Sequence, residues 1–236
     1  MKQPIVALFS MFCLTLALGA VSPAADESSK HFQDAAKQST KASQVFREIM
    51  EAPDKGIPQD ILEKAECVMV FPEVLKAGFI IGGRGGRGVA SCRGSSGWTP
   101  PAYFNLGGGS IGLQIGAQST DFVLLIMNKE GMNKLLGDQF ELGGDISAAA
   151  GPVGRQAGAS TNIRMDAKIL SYSRSKGLFA GLELKGVVIK PDKDNIEAVY
   201  GKGVDAKAVL QAGRVNASKE ILTFPTTLAS YSVAKK

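Results

Sequence analysis

The sequence predicts an α+β fold: N-terminal amphipathic helices packed on a large curled antiparallel β-sheet, barrel- or sandwich-like, followed by short C-terminal helices. Three observations predict it. Apolar residues recur at three- and four-residue spacing across Lys30–Met50. Period-two segments then dominate from Cys67 to Ile189, most cleanly in Gly107–Asn128 (GGGSIGLQIGAQSTDFVLLIMN). There Ile111, Leu113, Ile115 and Ala117 share one side, and Ser110, Gly112, Gln114, Gly116 and Gln118 the other. Finally, 236 residues with 44% hydrophobic content suffice for one sizeable core.

Residues 1–25 read as an export signal. Lys2 gives a short positive start, Ile5–Ala20 is apolar apart from Ser10, Thr15 and Gly19, and Ser22–Ala25 offers small residues for cleavage near Ala25 or Asp26. The alternative, an uncleaved anchor, fits poorly because the run is short for a span. The expected organisation is a signal peptide over 1–25 and one domain over 26–236, with helices over 28–66, a sheet core over 67–190 and a helical tail over 191–236.

In the first helix Phe32, Ala35, Ala36, Ala42, Val45, Phe46, Ile49 and Met50 form an apolar stripe; Pro53 and Gly56 end it. It either covers the sheet or detaches to lie on a membrane by that stripe. Pro58 opens a second short helix to Glu66, at the position that tolerates proline. Strands are expected at Cys67–Phe71, Lys76–Gly82, Gly88–Arg93 and Ala102–Leu106, split by Pro72, a glycine-arginine loop and Gly94–Pro101. Ser110–Ala117 and Phe122–Met127 follow, joined by a tight turn at Ser119–Asp121; the second is apolar on both faces and therefore central. Lys129–Leu136 reads as a helix, Phe140–Ala150 as a strand, and Arg164–Ser173 with Leu178–Ile189 as a hairpin. Asn195–Tyr200 and Asp205–Gln211 read as short helices, and the rest of the tail as polar with anchors at Ile221, Leu222 and Phe224.

Cys67 and Cys92 remain after export. In an oxidising compartment an even pair invites a disulfide, closing a loop worth about 3.5 kcal/mol on the chain-entropy model. Two buried thiols are the other reading.

Catalytic chemistry finds little to use. His31 is the only histidine, and its place near a new terminus predicts a solvated side chain, which excludes histidine-based triads and zinc sites. Asp121, Glu141, Asp145 and Asp166 fall mostly on outward strand faces as solvated or paired acids, so surface-carboxylate hydrolysis is the weakest reading. GRGGRG at Gly83–Gly88 and GGGSIG at Gly107–Gly112 match a dinucleotide fingerprint in form, but strand follows each where a helix is required. No cofactor and no metal are expected. A net charge of +5, of which residues 1–25 contribute only Lys2, is mild for nucleic-acid binding and compatible with attraction to an anionic surface.

The sharpest candidate is the basic tip of Ser171–Gly181 (SYSRSKGLFAG). Arg174 and Lys176 flank a turn, with Leu178 and Phe179 directly after it. Cations beside apolar bulk suit a membrane interface, but at about 1 kcal/mol per basic residue the tip needs help from Lys168, Lys185, Arg84 or Arg87. Its alternative is a solvated turn with Phe179 in the core. Arg84 and Arg87 themselves either grip an anion or belong to a flexible loop.

Three ordered tracts, GGSIGLQIGAQSTDFVLLIMN, GGDISAAAGPVGR at Gly143–Arg155 and ILSYSRSKGLFAG at Ile169–Gly181, resemble the SYLF-domain family, with the likeness running over about Pro58–Tyr200. The resemblance implies lipid binding, to phosphoinositides in eukaryotic members, and actin binding in some of them. With the export-like start, the expectation is a non-enzymatic periplasmic or extracellular protein, peripherally attached to anionic phospholipid. The alternative is a structural or protein-interaction module with an envelope protein as partner.

Overall fold

The computed structural model describes residues 23–52, 56–154, 167–175, 178–182, 184–212 and 215–232. Its architecture is α+β, with one hydrophobic core shared by helices and a nearly closed sheet. Helix α1 (Pro23–Met50) buries Ala35, Ser39, Ala42, Phe46 and Ile49, the three-and-four spacing of its stripe. Ser43 Oγ donates to the Ser39 carbonyl, which satisfies a hydroxyl inside the contact. Ser39 and Tyr103 share a buried hydrogen bond of 3.1 Å. Each large apolar side chain sealed here contributes roughly 1.5–3 kcal/mol. Helix α2 (Gln59–Lys64) follows, its last carbonyls taken by the Arg93 guanidinium at 2.8 and 3.0 Å.

The sheet is built on two very long strands, β1 (Cys67–Gly94) and β3 (Ala102–Ile126), paired antiparallel from Cys67↔Ile126 to Ala90↔Ala102. The short β2 (Gly97–Trp98) folds back on the end of β1. The separate strands expected from Cys67 to Arg93, and again from Ala102 to Met127, are thus single elements. Pro72 falls where the register shifts between Phe71 and Val74, so its missing N–H costs no regular ladder bond. The expected turn at Ser119–Asp121 is strand, held by pairing of Ser119 with Leu75 and Thr120 with Val74.

Extended, the path from Cys67 to Cys92 would cover about 80 Å. Their Cα atoms lie 3.9 Å apart and their sulfurs are bonded. The ribbon therefore travels round and meets itself. Arg93 N–H donates to the Glu66 carbonyl at 2.8 Å, and Glu66 N–H to that of Ile126 at 2.7 Å. Gly88 lies against Val70 and Phe71 so closely that a Cβ there would be 2.5 Å from the Val70 oxygen. The GRGGRG segment is consequently not a loop: its glycines let one strand cross its own beginning.

The other edge of β3 carries two sets of strands. β8 (Val187–Pro191) pairs with Phe104–Gly108 and is extended by β4 (Phe140–Leu142). β6 (Ile169–Ser175) pairs with Asp121–Ile126 and is flanked by β7 (Leu178–Gly181) and, in parallel, β5 (Ala148–Ala150). The run Leu178–Ile189 is thus two strands at different ends of β3, separated at Gly186, whose φ of 67° is left-handed. Likewise Phe140–Ala150 is two short strands.

Helix α3 (Lys129–Leu135) is capped by Asn128, which accepts from Gly131 N–H at 2.9 Å. Helix α4 (Lys193–Tyr200) places Asn195 Oδ1 3.1 Å from His31 Nδ1, so the histidine is half-buried between α1 and α4 and not solvated. A π-helical segment, Ala208–Ala212, replaces the helix expected at Asp205–Gln211. The helical tail expected over 191–236 ends in α5 (Thr223–Tyr231), where the residue pattern had shown only apolar anchors on a polar stretch. Phe224 meets Phe46 edge-on at 6.5 Å, with Tyr231 beside it at 6.0 Å. Three apolar anchors read as isolated are therefore parts of one helical face and its lead-in.

Candidate functional site

β6 divides the candidate residues between two faces of the sheet, because successive side chains alternate. On one face Tyr172 and Arg174 point towards α1. Arg174 Nε and Nη2 donate to Asp121 Oδ2 at 3.0 and 2.9 Å, and Nη1 donates to Glu48 Oε2. Burial disfavours this guanidinium's charge, but the hydrogen bonds to Glu48 and Asp121 outweigh it and raise its pKa. The hydrogen bond with Gln44, then that with Arg174, holds the Glu48 carboxyl below its ordinary range. Asp121 Oδ1 also accepts Glu73 N–H at 2.8 Å, and Lys41 pairs with Glu73. The adjoining cavity, about 310 Å³, is lined by two cations and two carboxylates in mutual contact. It is a charge-balanced joint between helix and sheet.

Arg174 is therefore not a free cation at a hairpin tip; its reach is spent within the fold. Lys176 lies outside the described residues. Phe179 is half-buried and stacks on Tyr172 at 5.3 Å and 7°. Leu178 is 72% exposed. Lys168 pairs with Glu130 and stands at the far end of β6, about 20 Å from the tip. Lys185 is exposed on the segment before β8, its stem over Gly143. Arg84 and Arg87, three apart on one strand, face opposite ways: Arg87 pairs with Asp34 of α1 at 3.3 Å, while Arg84 lines a cleft on the other face. Reading that segment as a loop had placed the two arginines together.

That second cleft, about 340 Å³, is the most distinctive feature of the sheet. Lys76 and Arg84 of β1 line it, with Gln118 and Thr120 of β3 and Ser173 and Ser175 of β6. Val74, Phe122 and Leu182 supply its apolar part. Arg84 Nε is buried without a hydrogen-bond partner, and Gln118 Nε2 donates to Ser175 Oγ at 3.1 Å. No carboxylate lines the cleft among the described residues. Leu182 is 37% exposed, and Leu178 pairs with Ser175, so exposed leucines stand at both ends of β7 beside the cleft. In SYSRS the basic residue, Arg174, shares the even positions with Tyr172, and the serines at the odd positions carry no charge to single them out. Period two would have put Ser173 and Ser175 together, as it does Gln118, Thr120 and Phe122.

Of the acids considered for hydrolysis, those among the described residues serve separate contacts. Asp121 serves the joint above, Asp145 accepts Glu141 N–H at 2.8 Å, and Asp166 lies outside the described residues. Among the described residues no group of three histidine, cysteine or acidic side chains could hold a metal ion. No described helix is long and apolar enough to cross a membrane.

Comparison with known proteins gives a consistent family. The family described as Ysc84, Las17-binding protein actin regulator, matches residues 107–231. An SH3 domain-containing protein of Schizosaccharomyces pombe is 38% identical over 159 residues, covering 65% of this chain and 36% of that protein. LAS seventeen-binding protein 3 of Saccharomyces cerevisiae is 35% identical over 181 residues, 74% of this chain and 38% of that protein. SH3 domain-containing YSC84-like protein 1 of Mus musculus is 31% identical over 180 residues, 73% and 53% respectively. The chain spans about half or less of the length of these relatives. With more than half its residues inside the matched region, the chain belongs to the Ysc84 family of SYLF-domain proteins.

Proposed function

We propose that this protein is an exported, non-enzymatic domain that docks peripherally on anionic phospholipid membranes. One observation carries the reading: exposed Leu178 and Leu182 flank a cleft lined by Lys76 and Arg84, on the face of the sheet opposite α1. Apolar groups that enter the interface beside cations that meet phosphate are the two ingredients of peripheral attachment. Export rests on residues 1–25, with their apolar run and small-residue end. Among the described residues the carboxylates of the α1-side cleft are paired with cations and no histidine stands near either cleft, which favours binding over catalysis. Co-sedimentation with phosphatidylglycerol vesicles at low salt is the test. The protein should pellet with them, release at high salt, and ignore phosphatidylcholine. Leu178→Ser should weaken pelleting on the order of tenfold, the worth of one exposed leucine transferred to an apolar medium. Pelleting that is absent, or indifferent to salt and lipid charge, refutes the reading.

A second reading is favoured by the family description and by relatives named for binding Las17: a protein-interaction module whose partner is another protein. Pull-down from envelope extract without detergent, with and without lipid vesicles as competitor, separates the two.

A further inference from the structure

A groove of about 810 Å³ lies between α1 and the start of α5. Each wall repeats helical spacing: positions 40, 43, 44 and 47 on α1, and 219, 222, 223 and 226 opposite. The second wall is continuous with α5, because Leu222 N–H donates to the Ser218 carbonyl at 3.0 Å and Thr226 N–H to that of Leu222 at 3.1 Å. Phe46 against Phe224 holds the two walls together. Thr40, Ser43 and Thr223 donate their hydroxyl protons to carbonyls of their own walls, those of Ala36, Ser39 and Glu220, at 3.0, 2.8 and 3.1 Å. What these hydroxyls keep for a ligand is lone pairs, so they call for N–H or O–H donors. The charged groups call for the opposite. Arg47 and Lys219 line the groove, and neither has an ion-pair partner among the described residues. The one carboxylate in the described lining, Glu48, is engaged by Arg174 and by Gln44, which donates to it at 2.8 Å.

An inorganic anion or a simple dicarboxylate satisfies the two cations and leaves the hydroxyl oxygens without donors. A sugar supplies donors but no charge. An acidic stretch of polypeptide brings both, backbone N–H groups for the hydroxyls and carboxylates for Arg47 and Lys219. From position 40 to position 47 the α1 wall is about 10 Å long, the length of about three residues of extended chain. We propose that this groove binds a short acidic segment of another protein in extended form, its carboxylates on Arg47 and Lys219 and its backbone amides on the hydroxyl oxygens. The proposal is independent of the membrane reading, since the groove shares no lining residue with the cleft of Lys76 and Arg84. It rests on the protein-interaction reading only in taking the segment from a second protein.

A ¹⁵N–¹H NMR titration of the full, disulfide-bonded protein follows Arg47 Nε–H and the backbone amides of Thr223 and Thr226. The probe is tetraglutamate blocked at both ends, with blocked tetraglutamine and glutarate as controls. The acidic peptide should shift these resonances, weaken with salt and bind roughly tenfold more tightly than either control. Arg47→Gln and Lys219→Gln should each lower its affinity about fivefold, the upper end for an exposed ion pair. Both side chains are exposed, so their replacement leaves the core intact. Lys202→Gln, at an exposed lysine outside the groove, should leave the affinity unchanged. Resonances unmoved by millimolar peptide, glutarate binding as tightly as the peptide, or an equal loss in Lys202→Gln overturns the proposal. An envelope pull-down that succeeds equally with Arg47→Gln and Lys219→Gln combined also overturns the groove assignment, and leaves the protein-interaction reading standing.

Discussion

Replacing Asp121 by alanine should cost about 2–3 kcal/mol of folding stability. The carboxylate is only 13% exposed and makes three contacts: Glu73 N–H at 2.8 Å, and Arg174 Nε and Nη2 at 3.0 and 2.9 Å. Glu73 has a φ of 52°, a left-handed conformation unusual for a residue with a side chain, at the bulge that bends β1. Asp121→Ala removes the acceptor that holds this backbone and leaves Arg174 with Glu48 alone. Hydrogen bonds to charged groups contribute about 1.5–3 kcal/mol each. Water reaches the vacated site, and this brings the total towards the value of one such bond and part of a second. Asp121→Asn keeps an oxygen for Glu73 N–H and should cost only about 1 kcal/mol through the weakened contact with Arg174. Urea unfolding with the disulfide intact measures both, provided the slope m stays constant. A double-mutant cycle with Arg174→Gln should return a coupling of about 1–2 kcal/mol. If Asp121→Ala falls within about 0.5 kcal/mol of the parent, or the coupling vanishes, the joint does not hold the sheet to α1 as described.

Gly88→Ala should destabilise by about 1–3 kcal/mol or more, because the added methyl meets Val70 oxygen and Phe71 Cδ1 at 2.5 Å and neither is a free-swinging group; thermal unfolding monitored by circular dichroism reads it, and a neutral substitution would deny that β1 crosses its own start there. Glu48 predicts a pH effect. Hydrogen bonds from Gln44 and Arg174 hold its folded-state pKa below the ordinary glutamate range, so its contribution is present above that range and disappears as pH falls through the folded value. Glu48→Gln should therefore lose its stability deficit relative to the parent as pH falls through and below the ordinary glutamate range of about 4.3, as seen in paired denaturation curves. With the Glu48 side chain 39% exposed the deficit is a few tenths of a kcal/mol.

Element type was legible where period and length agreed. The α1 stripe spans several turns, and Phe122–Ile126 is apolar throughout because both its faces are buried, with β1 and β6 at its two edges. Continuity was not legible. Pro72, the Gly82–Gly88 cluster and the polar Ser119–Asp121 are ordinary signs of chain breaks, and each is overridden here by pairing with the partner strand. The tail was legible as helical but not the bounds of α5, because its apolar residues gain meaning only against Phe46, more than 170 positions earlier. At the candidate site, residue type was read better than direction. Arg84 and Arg174 were both singled out, yet which face each occupies depends on whether its segment is strand or loop. Taking Gly83–Gly88 as a loop joins Arg84 to Arg87, and taking Arg174 as the flank of a turn gives to the membrane a side chain that pairs with Asp121 and Glu48.

The two readings of α1 can now be weighed by magnitude. Asp34, Lys41 and Glu48 stand seven residues apart, and each is paired with the sheet, to Arg87, Glu73 and Arg174. Exposed pairs of this kind contribute about 0.2–1 kcal/mol apiece and fade with salt. The apolar seal is larger: Val45, Phe46 and Ile49 are 6%, 0% and 1% exposed, and at roughly 1.5–3 kcal/mol each they outweigh all three ion pairs together. A bilayer could recover that burial for the helix. It could not do so for Phe224 or for the sheet residues left uncovered, which would face water with nothing to replace α1. An anionic surface would compete for Arg87 and Arg174, weakening the weaker part of the attachment and leaving the stronger part in place. Membrane contact by a docked α1 thus costs less than contact by a released one, and a docked α1 presents no apolar stripe. On the membrane reading proposed above, the surface left for lipid is the opposite face, where Leu178 and Leu182 stand beside the cleft lined by Lys76 and Arg84 and no described helix covers it.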